Sequence, residues 1–280
     1  MEQLQEQNIS KVIVQRHTEE QMITHLEFYK SVGLEIIHDI DDLLWQVPPT
    51  NPYHRYFKGI NKKCLARALA MSDYLSASTI PMAEHTFKFS RKMPVVVPNY
   101  VSAKHYQKPK MRQKQKLRVG WAGSNTHVGD LQIINQLVSS TLDKYEWVFM
   151  GYNDPKWVNK IEFHEFVAVE DYMDYAKLLN LDVVVIPLEE NAFNTCKSGI
   201  KLQEFSAIGV PCITTDIMPY KENVNAKIPV SKRAWQGFRD ALSAFEDESV
   251  RLKAALATHE WSAKYILEDN LDVIRRAWRL

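Results

Sequence analysis

LDVVVIPLEENAFNTCKSGIKLQEFSAIGVPCITT, from Leu181 to Thr215, is the stretch whose reading decides the fold. Leu181 to Leu188 is the most hydrophobic run of the chain, and its central valines and isoleucine are what a buried parallel strand needs. After a polar loop, Ile200 to Ile208 is predicted as a helix. VPCITT, Val210 to Thr215, is the next strand. Parallel neighbours cannot be joined by a tight turn, so a strand, a helical crossover and a second strand form one unit of an α/β protein.

The alternation continues in both directions. Downstream of Lys116 the reading predicts strands KLRVGWAG (Lys116–Gly123), YEWVFMG (Tyr145–Gly151) and HEFVAV (His164–Val169), with helices over Asp130–Ser139 and Asp171–Leu179. Lys232 to Leu280 is predicted helical and amphipathic. Upstream, KVIVQ (Lys11–Gln15) and LEIIHDI (Leu34–Ile40) read as strands around a helix from Glu19 to Val32. Pro48, Pro49 and Pro52 break the chain after Asp41-Asp42. A basic helix over Arg55–Met71, a short strand YLSAS, a helix opened by Pro81 and the strand PVVVPN (Pro94–Asn99) complete this half. Ser102 to Lys116 has no hydrophobic period and reads as a basic linker. The expected units are therefore residues 1–101, the linker 102–116 and residues 117–280.

Composition is that of a folded globular protein, with 45% hydrophobic and 25% charged residues. The opening MEQLQEQNIS lacks the pattern of a secretory signal, and no apolar run reaches membrane-spanning length. Cys64, Cys196 and Cys212 have no metal-ligand spacing, so reduced thiols in a cytoplasmic protein are expected. The net charge of +1 conceals an imbalance: Leu43 to Gly129 carries fifteen Lys or Arg against only Asp73 and Glu84. Such a stretch is either a solvated surface or the footprint of a polyanion such as nucleic acid, acidic lipid or a phosphorylated acceptor.

The chemistry concentrates in Asn194-Thr-Cys-Lys-Ser-Gly-Ile-Lys-Leu-Gln-Glu204. A helix opening just after Gly199 presents free backbone N–H groups and a positive dipole end, which favour an anion. Lys197 and Lys201 flank that end and can face one diphosphate. Glu204, three residues past Lys201, can accept from the two hydroxyls of a ribose. The same spacing also describes an ordinary surface Lys–Glu pair.

The segment Asn194–Tyr220 resembles the donor-site helix of glycosyltransferases with the two-domain GT-B fold. It is most similar to retaining family four, in the branch with the pattern KS-x-x-K-x-x-E followed by G-x-P. HDIDDLLWQVPPTNP, SDYLSASTIPMAE, VVVPNYV and RVGWAGSNTHVGDL resemble further elements of that branch in the same order, from Lys11 to Tyr220 overall. The resemblance implies an α/β fold of two Rossmann-like domains facing a cleft, the first shortened. It further implies transfer of a sugar from a nucleotide sugar, a UDP-sugar by expectation, with retention. Lys197 and Lys201 would neutralise the donor diphosphate, and Ser198 and Gly199 would offer backbone N–H groups to it. Glu204 would hold the ribose. Gly123, Ser124 and His127 would approach the phosphate or sugar, with His127 a hydrogen-bond donor. The backbone at Val167 and Ala168 would read the nucleobase. No cofactor beyond the donor and no metal is implied.

Two departures matter. Family members often carry a second glutamate eight positions before Glu204, where this chain has Cys196. Only about 100 residues precede the linker, fewer than a full acceptor domain of the family. A minimal enzyme, a second chain completing the domain, or a homo-oligomer would each account for that, and a non-catalytic nucleotide-sugar-binding subunit is the alternative reading. The acceptor side is expected around Asp39, Asp41, Asp42, Trp45 and Arg55. Asp39-Ile-Asp41 has the form of a metal-binding DxD, though a loop-ordering carboxylate pair is the simpler reading. Trp45, Tyr53, Tyr56 and Phe57 lie beside basic residues and suit either stacking or core packing. The acceptor expected from the charge is polyanionic. It is either DNA with a hydroxymethylated base, in a host cytoplasm where a phage encodes the enzyme, or a glycan at an anionic membrane with the protein peripherally bound.

Overall fold

The computed structural model describes residues 9–16, 20–112 and 116–280. Most of the polar opening segment, Glu19 at the start of the first expected helix, and residues 113–115 of the expected linker lie outside them. The first half holds strands β1 (Lys11–Gln15), β2 (Glu35–Ile40), β3 (Tyr74–Ala77) and β4 (Val95–Val96), with helices α1 (Gln21–Ser31), α2 (His54–Lys58), α3 (Lys62–Met71) and α4 (Ile80–Ser90) between them. These strands form one parallel sheet in the order β1-β2-β3-β4.

The second half holds β5 (Arg118–Ala122), α5 (Val128–Gln132), α6 (Asn135–Ser140), β6 (Glu146–Met150), β7 (Glu162–His164), α7 (Val169–Leu178) and β8 (Val183–Ile186). It continues with α8 (Ala192–Cys196), α9 (Ile200–Ala207), β9 (Cys212–Thr215), β10 (Ala226–Ile228), α10 (Ala234–Ala244), α11 (Glu248–Ser262) and α12 (Leu271–Trp278). Its six parallel strands lie in the order β10-β9-β8-β5-β6-β7, the doubly wound Rossmann arrangement. Every residue of β8 and β9 is buried, as central strands covered on both faces require.

Several boundaries differ from the sequence reading, each for a local reason. The basic helix expected over Arg55–Met71 is two helices, because Asn61 turns its side chain to accept from the backbone N–H groups of Lys63 and Cys64 and so starts α3 afresh. The helix expected over Asp130–Ser139 is likewise split into α5 and α6. The strand expected at His164–Val169 lies earlier, at β7. There Glu162 takes both Arg118 guanidinium nitrogens at 2.6 and 2.7 Å, and Val169 already opens α7. The short edge strand β10 and the five-residue α8 were not foreseen.

Two features tie the halves together. Phe193 and Cys196 of α8, in the second half, are buried in the first half's core with Ile40, Leu43, Leu69 and Met82. Burying a phenylalanine contributes about 2 kcal/mol, so α8 acts as a plug. The chain's last helix returns to the first sheet, where the Trp278 indole donates to Ser76 Oγ at 3.1 Å. The region read as a linker packs on the second half. Arg112 pairs with buried Asp182 at 2.7 Å, and Tyr106 donates to the Ser262 carbonyl. Among the described residues no helix is long and apolar enough to cross a membrane, and the three cysteines are free.

Candidate functional site

β5 and β8 lie side by side, yet the chain leaves them towards opposite edges of the sheet. The carboxyl ends of such a pair open a crevice that the crossovers cannot fill. The loop after Ala122 and the segment after Ile186 meet there, which brings Gly123 to His127 against Lys197 to Glu204.

Lys201, in the first turn of α9, donates to the Ala122 carbonyl at 2.7 Å and lies 5.7 Å from the Trp121 ring. This approach depends on Gly123, where a Cβ would stand 2.8 Å from the ammonium nitrogen. Burial holds the Lys201 ammonium below the usual lysine range, and only Glu204 and Asp130 oppose that effect. Glu204, one turn along α9, is raised above the usual carboxylate range by burial and drawn back by Lys201. The Tyr172 hydroxyl, from α7, faces Glu204 without reaching hydrogen-bond geometry. No side chain caps the start of α9 after Gly199, so its first N–H groups are free for an anion. Ser198 is steadied from the first half, its Oγ accepting from Asn99 Nδ2 at 2.6 Å.

His127 bonds through Nδ1 to Asp130 Oδ2 at 2.7 Å. The other carboxylate oxygen of Asp130 accepts from the Glu189 backbone at 2.7 Å and from Asn194 Nδ2 at 3.1 Å. Burial raises the Asp130 carboxyl to about 6. Burial, then Lys197 and Lys201, push the imidazole well below its usual value. A neutral ring beside a carboxylate keeps its proton on Nδ1, which leaves Nε2 as an acceptor. The sequence reading expected a donor there.

Ser124 shares a hydroxyl contact with Thr126 at 2.7 Å. Val167 and Ala168 occupy the loop between β7 and α7, beside exposed Phe166. A Cβ on Gly151 would meet both that ring and the Gly123 carbonyl, so this loop borders the same crevice.

The acceptor-side expectations divide. Asp42 is part-buried, with its carboxyl raised by burial and pulled back first by Lys197 across the cleft. Asp41 is held by Arg16, whose Nε lies 2.7 Å away. Asp39 sits inside β2, bonded to Ser76 at 2.5 Å and Gln15 at 2.9 Å, and so faces the first sheet's interior rather than the cleft. Trp45 is a core residue, edge-on to Phe89 at 5.2 Å. Arg55 is exposed on α2. Asp39 thus has partners apart from Asp41 and Asp42, which share Arg16, and no metal-binding group of His, Cys, Asp or Glu occurs among the described residues. Cys196, in the family's glutamate position, points into the first half's core while its carbonyl accepts from Thr79 at 2.8 Å. It is unavailable to a sugar.

Sequence reasoning missed Asp130, Tyr172 and Asn99 as parts of the site. Only Asp130 left a signal, the His-x-x-Asp spacing that puts both side chains on one face of a turn.

No protein-family model matches the sequence, and no curated protein does. Solved structures do resemble it. HepE of Anabaena, crystallised with UDP and glucose, superposes with a TM-score of 0.68 over 96% of this chain and 78% of that one, at 12% identity. The lipopolysaccharide outer core galactosyltransferase WaaB gives 0.61 over 99% and 76%, at 14% identity. A UDP-forming α,α-trehalose-phosphate synthase from Burkholderia xenovorans gives 0.62 over 96% and 73%, at 10% identity. At such identities the likeness is one of architecture: the chain has the GT-B fold, two Rossmann-like halves facing a cleft, with a smaller first sheet.

Proposed function

We propose that this chain is a glycosyltransferase that takes a sugar from a UDP-sugar. The observation that carries the reading is the convergence of Lys197, Lys201, the uncapped start of α9 and Glu204 at the carboxyl-end switch point of a Rossmann sheet. In this reading the diphosphate lies over the α9 N-terminus between the two lysines. Glu204 accepts from the ribose hydroxyls, and the Val167–Ala168 backbone borders the base. The bond from the anomeric carbon to the diphosphate oxygen breaks while the acceptor oxygen bonds to that carbon. The acceptor proton passes to the leaving phosphate oxygen, and the net charge gathering on UDP is met by two ammonium groups and the helix dipole. These charges do what a divalent ion does in other designs. An acceptor that hands its proton to the leaving oxygen attacks from that oxygen's face, so this proposed step retains configuration. His127, through Nε2, accepts from a hydroxyl of the transferred sugar, and Asp130 fixes its tautomer.

For the acceptor, a surface or lipid-linked glycan is favoured over DNA. At least four of the fifteen basic residues are engaged within the protein and so are less available to a polyanion: Arg67 with Glu27, Lys92 with the Ala70 and Ser72 carbonyls, Arg112 with Asp182, and Arg118 with Glu162. The test is a donor panel with the purified chain, reading nucleotide release with and without glycans or hydroxymethylated DNA. Release from one UDP-sugar, stimulated by a glycan, is expected. Binding of donor without turnover under every condition would leave the non-catalytic subunit instead.

A further inference from the structure

A cavity of about 520 Å³ opens at the cleft beside Lys197, a size typical of small-molecule sites. Its first-half wall comes from the loop and helix between Asp42 and Phe57, and Thr126 and Phe193 close it from the second half. Tyr53 is half exposed within it, an aromatic face left to a ligand rather than used in packing. That face is held in place by its neighbours. The Tyr53 backbone donates to Asn51 Oδ1 at 2.9 Å, and the next residue, His54, bonds through Nδ1 to the Val47 carbonyl at 2.7 Å. Phe57 and Tyr56 stack edge-on at 5.0 Å to extend the wall.

The charges around the cavity balance. Arg16 pairs with Asp41 and lies 3.4 Å from Asp42, and Lys197 is the other cation near Asp42. An anionic ligand would stand against Asp41 and Asp42 and compete with the donor diphosphate for Lys197. A flat ring with apolar C–H faces and outward hydroxyls meets neither obstacle. Its face lies on Tyr53, and its hydroxyls donate to Asp42.

Resting on the glycosyltransferase reading, we propose that this cavity is the acceptor subsite and that it takes an uncharged sugar ring, stacked on Tyr53 and held through its hydroxyls by Asp42. The acceptor is therefore a neutral terminal sugar, whatever the charge of its carrier.

Saturation-transfer NMR on the full chain tests this, with UDP present and methyl glucoside, methyl galactoside, glucose 6-phosphate or a single strand bearing 5-hydroxymethylcytosine as probes. A neutral glycoside is expected to show transfer. Its affinity should fall at least tenfold in Tyr53→Ala and in Asp42→Asn but be retained in Tyr53→Phe, and the UDP signal should persist in all three as the control for folding. A glycoside signal indifferent to Tyr53→Ala would overturn the proposal. So would stronger binding of the phosphorylated sugar, or of the oligonucleotide, at the same residues. UDP binding with no neutral glycoside bound defeats the cavity assignment and spares the donor reading. Glycoside binding that depends on Tyr53, with no UDP bound, does the reverse.

Discussion

The two walls of the cleft are made of different materials. On the second-half wall, burial moves ionisable groups from their usual ranges: Lys201 and His127 down, Glu204 and Asp130 up. Across from it, the Asp42–Phe57 wall is mostly apolar and aromatic, with Leu44, Val47, Tyr53, Tyr56 and Phe57, and Asp42 is its ionisable group displaced by burial. One wall is built to meet charge and the other to fit a shape. Displaced ionisation is costly for folding and persists where a charged ligand restores the balance. An apolar and aromatic wall has no such cost.

The largest expected effect tests whether the walls are physically one body. Phe193→Ala removes the plug that α8 drives into the first half's core and should lower stability by about 3–5 kcal/mol in denaturant unfolding. A loss below about 1 kcal/mol would mean that the halves only abut. Lys201→Ala follows. Losing one fixed charge at the leaving group should cost roughly 10²–10³-fold in kcat, with a lower melting temperature as well, since buried Glu204 and the Ala122 carbonyl lose their partner. An unchanged kcat would shift the donor role away from the charged wall.

Asp130→Asn comes next. It keeps the shape but removes the carboxylate that fixes the His127 proton on Nδ1. A drop in kcat of about tenfold or more is expected, with UDP affinity nearly unchanged, as read by steady-state kinetics beside calorimetry. An equal loss of UDP affinity would show that Asp130 serves the lysines instead.

The smallest effect is a pH dependence. In the proposed reading the donor needs charged Lys201, whose ligand-free pKa burial lowers to about 8. Donor affinity should therefore weaken from about pH 8 upward, at most tenfold per pH unit. Lys201→Ala should flatten that limb. On the acid side, protonating Glu204, raised to about 7, removes an acceptor for the ribose and should weaken binding more gently. An ordinary lysine would stay charged to about pH 10, so a flat profile between those values would mean that Lys201 is solvated when donor-free.

What the sequence by itself determined is whatever neighbours in the chain decide. The buried run at Leu181–Leu188, the helix opening after Gly199, and Lys197, Lys201 and Glu204 at its start are local facts. Backbone geometry turns such spacing directly into one face of one helix. The alternation of elements likewise determined a parallel α/β architecture, although short elements such as α8 and β10 carry too few residues to show a period. Tertiary structure alone decided what depends on distant segments meeting. Thr50 reaches Glu189 at 2.9 Å, and Gly129 leaves the room for that contact. Cys196 is buried by the other half of the molecule. Asp39 and Trp45, which look like cleft residues beside Asp42, are turned inward because strand pairing and core packing claim them first. Asp130 acquires its role only when Glu189 and Asn194 fold onto it. Periodicity and motif report which face a residue occupies. What that face meets is fixed by the free energy of packing the whole chain.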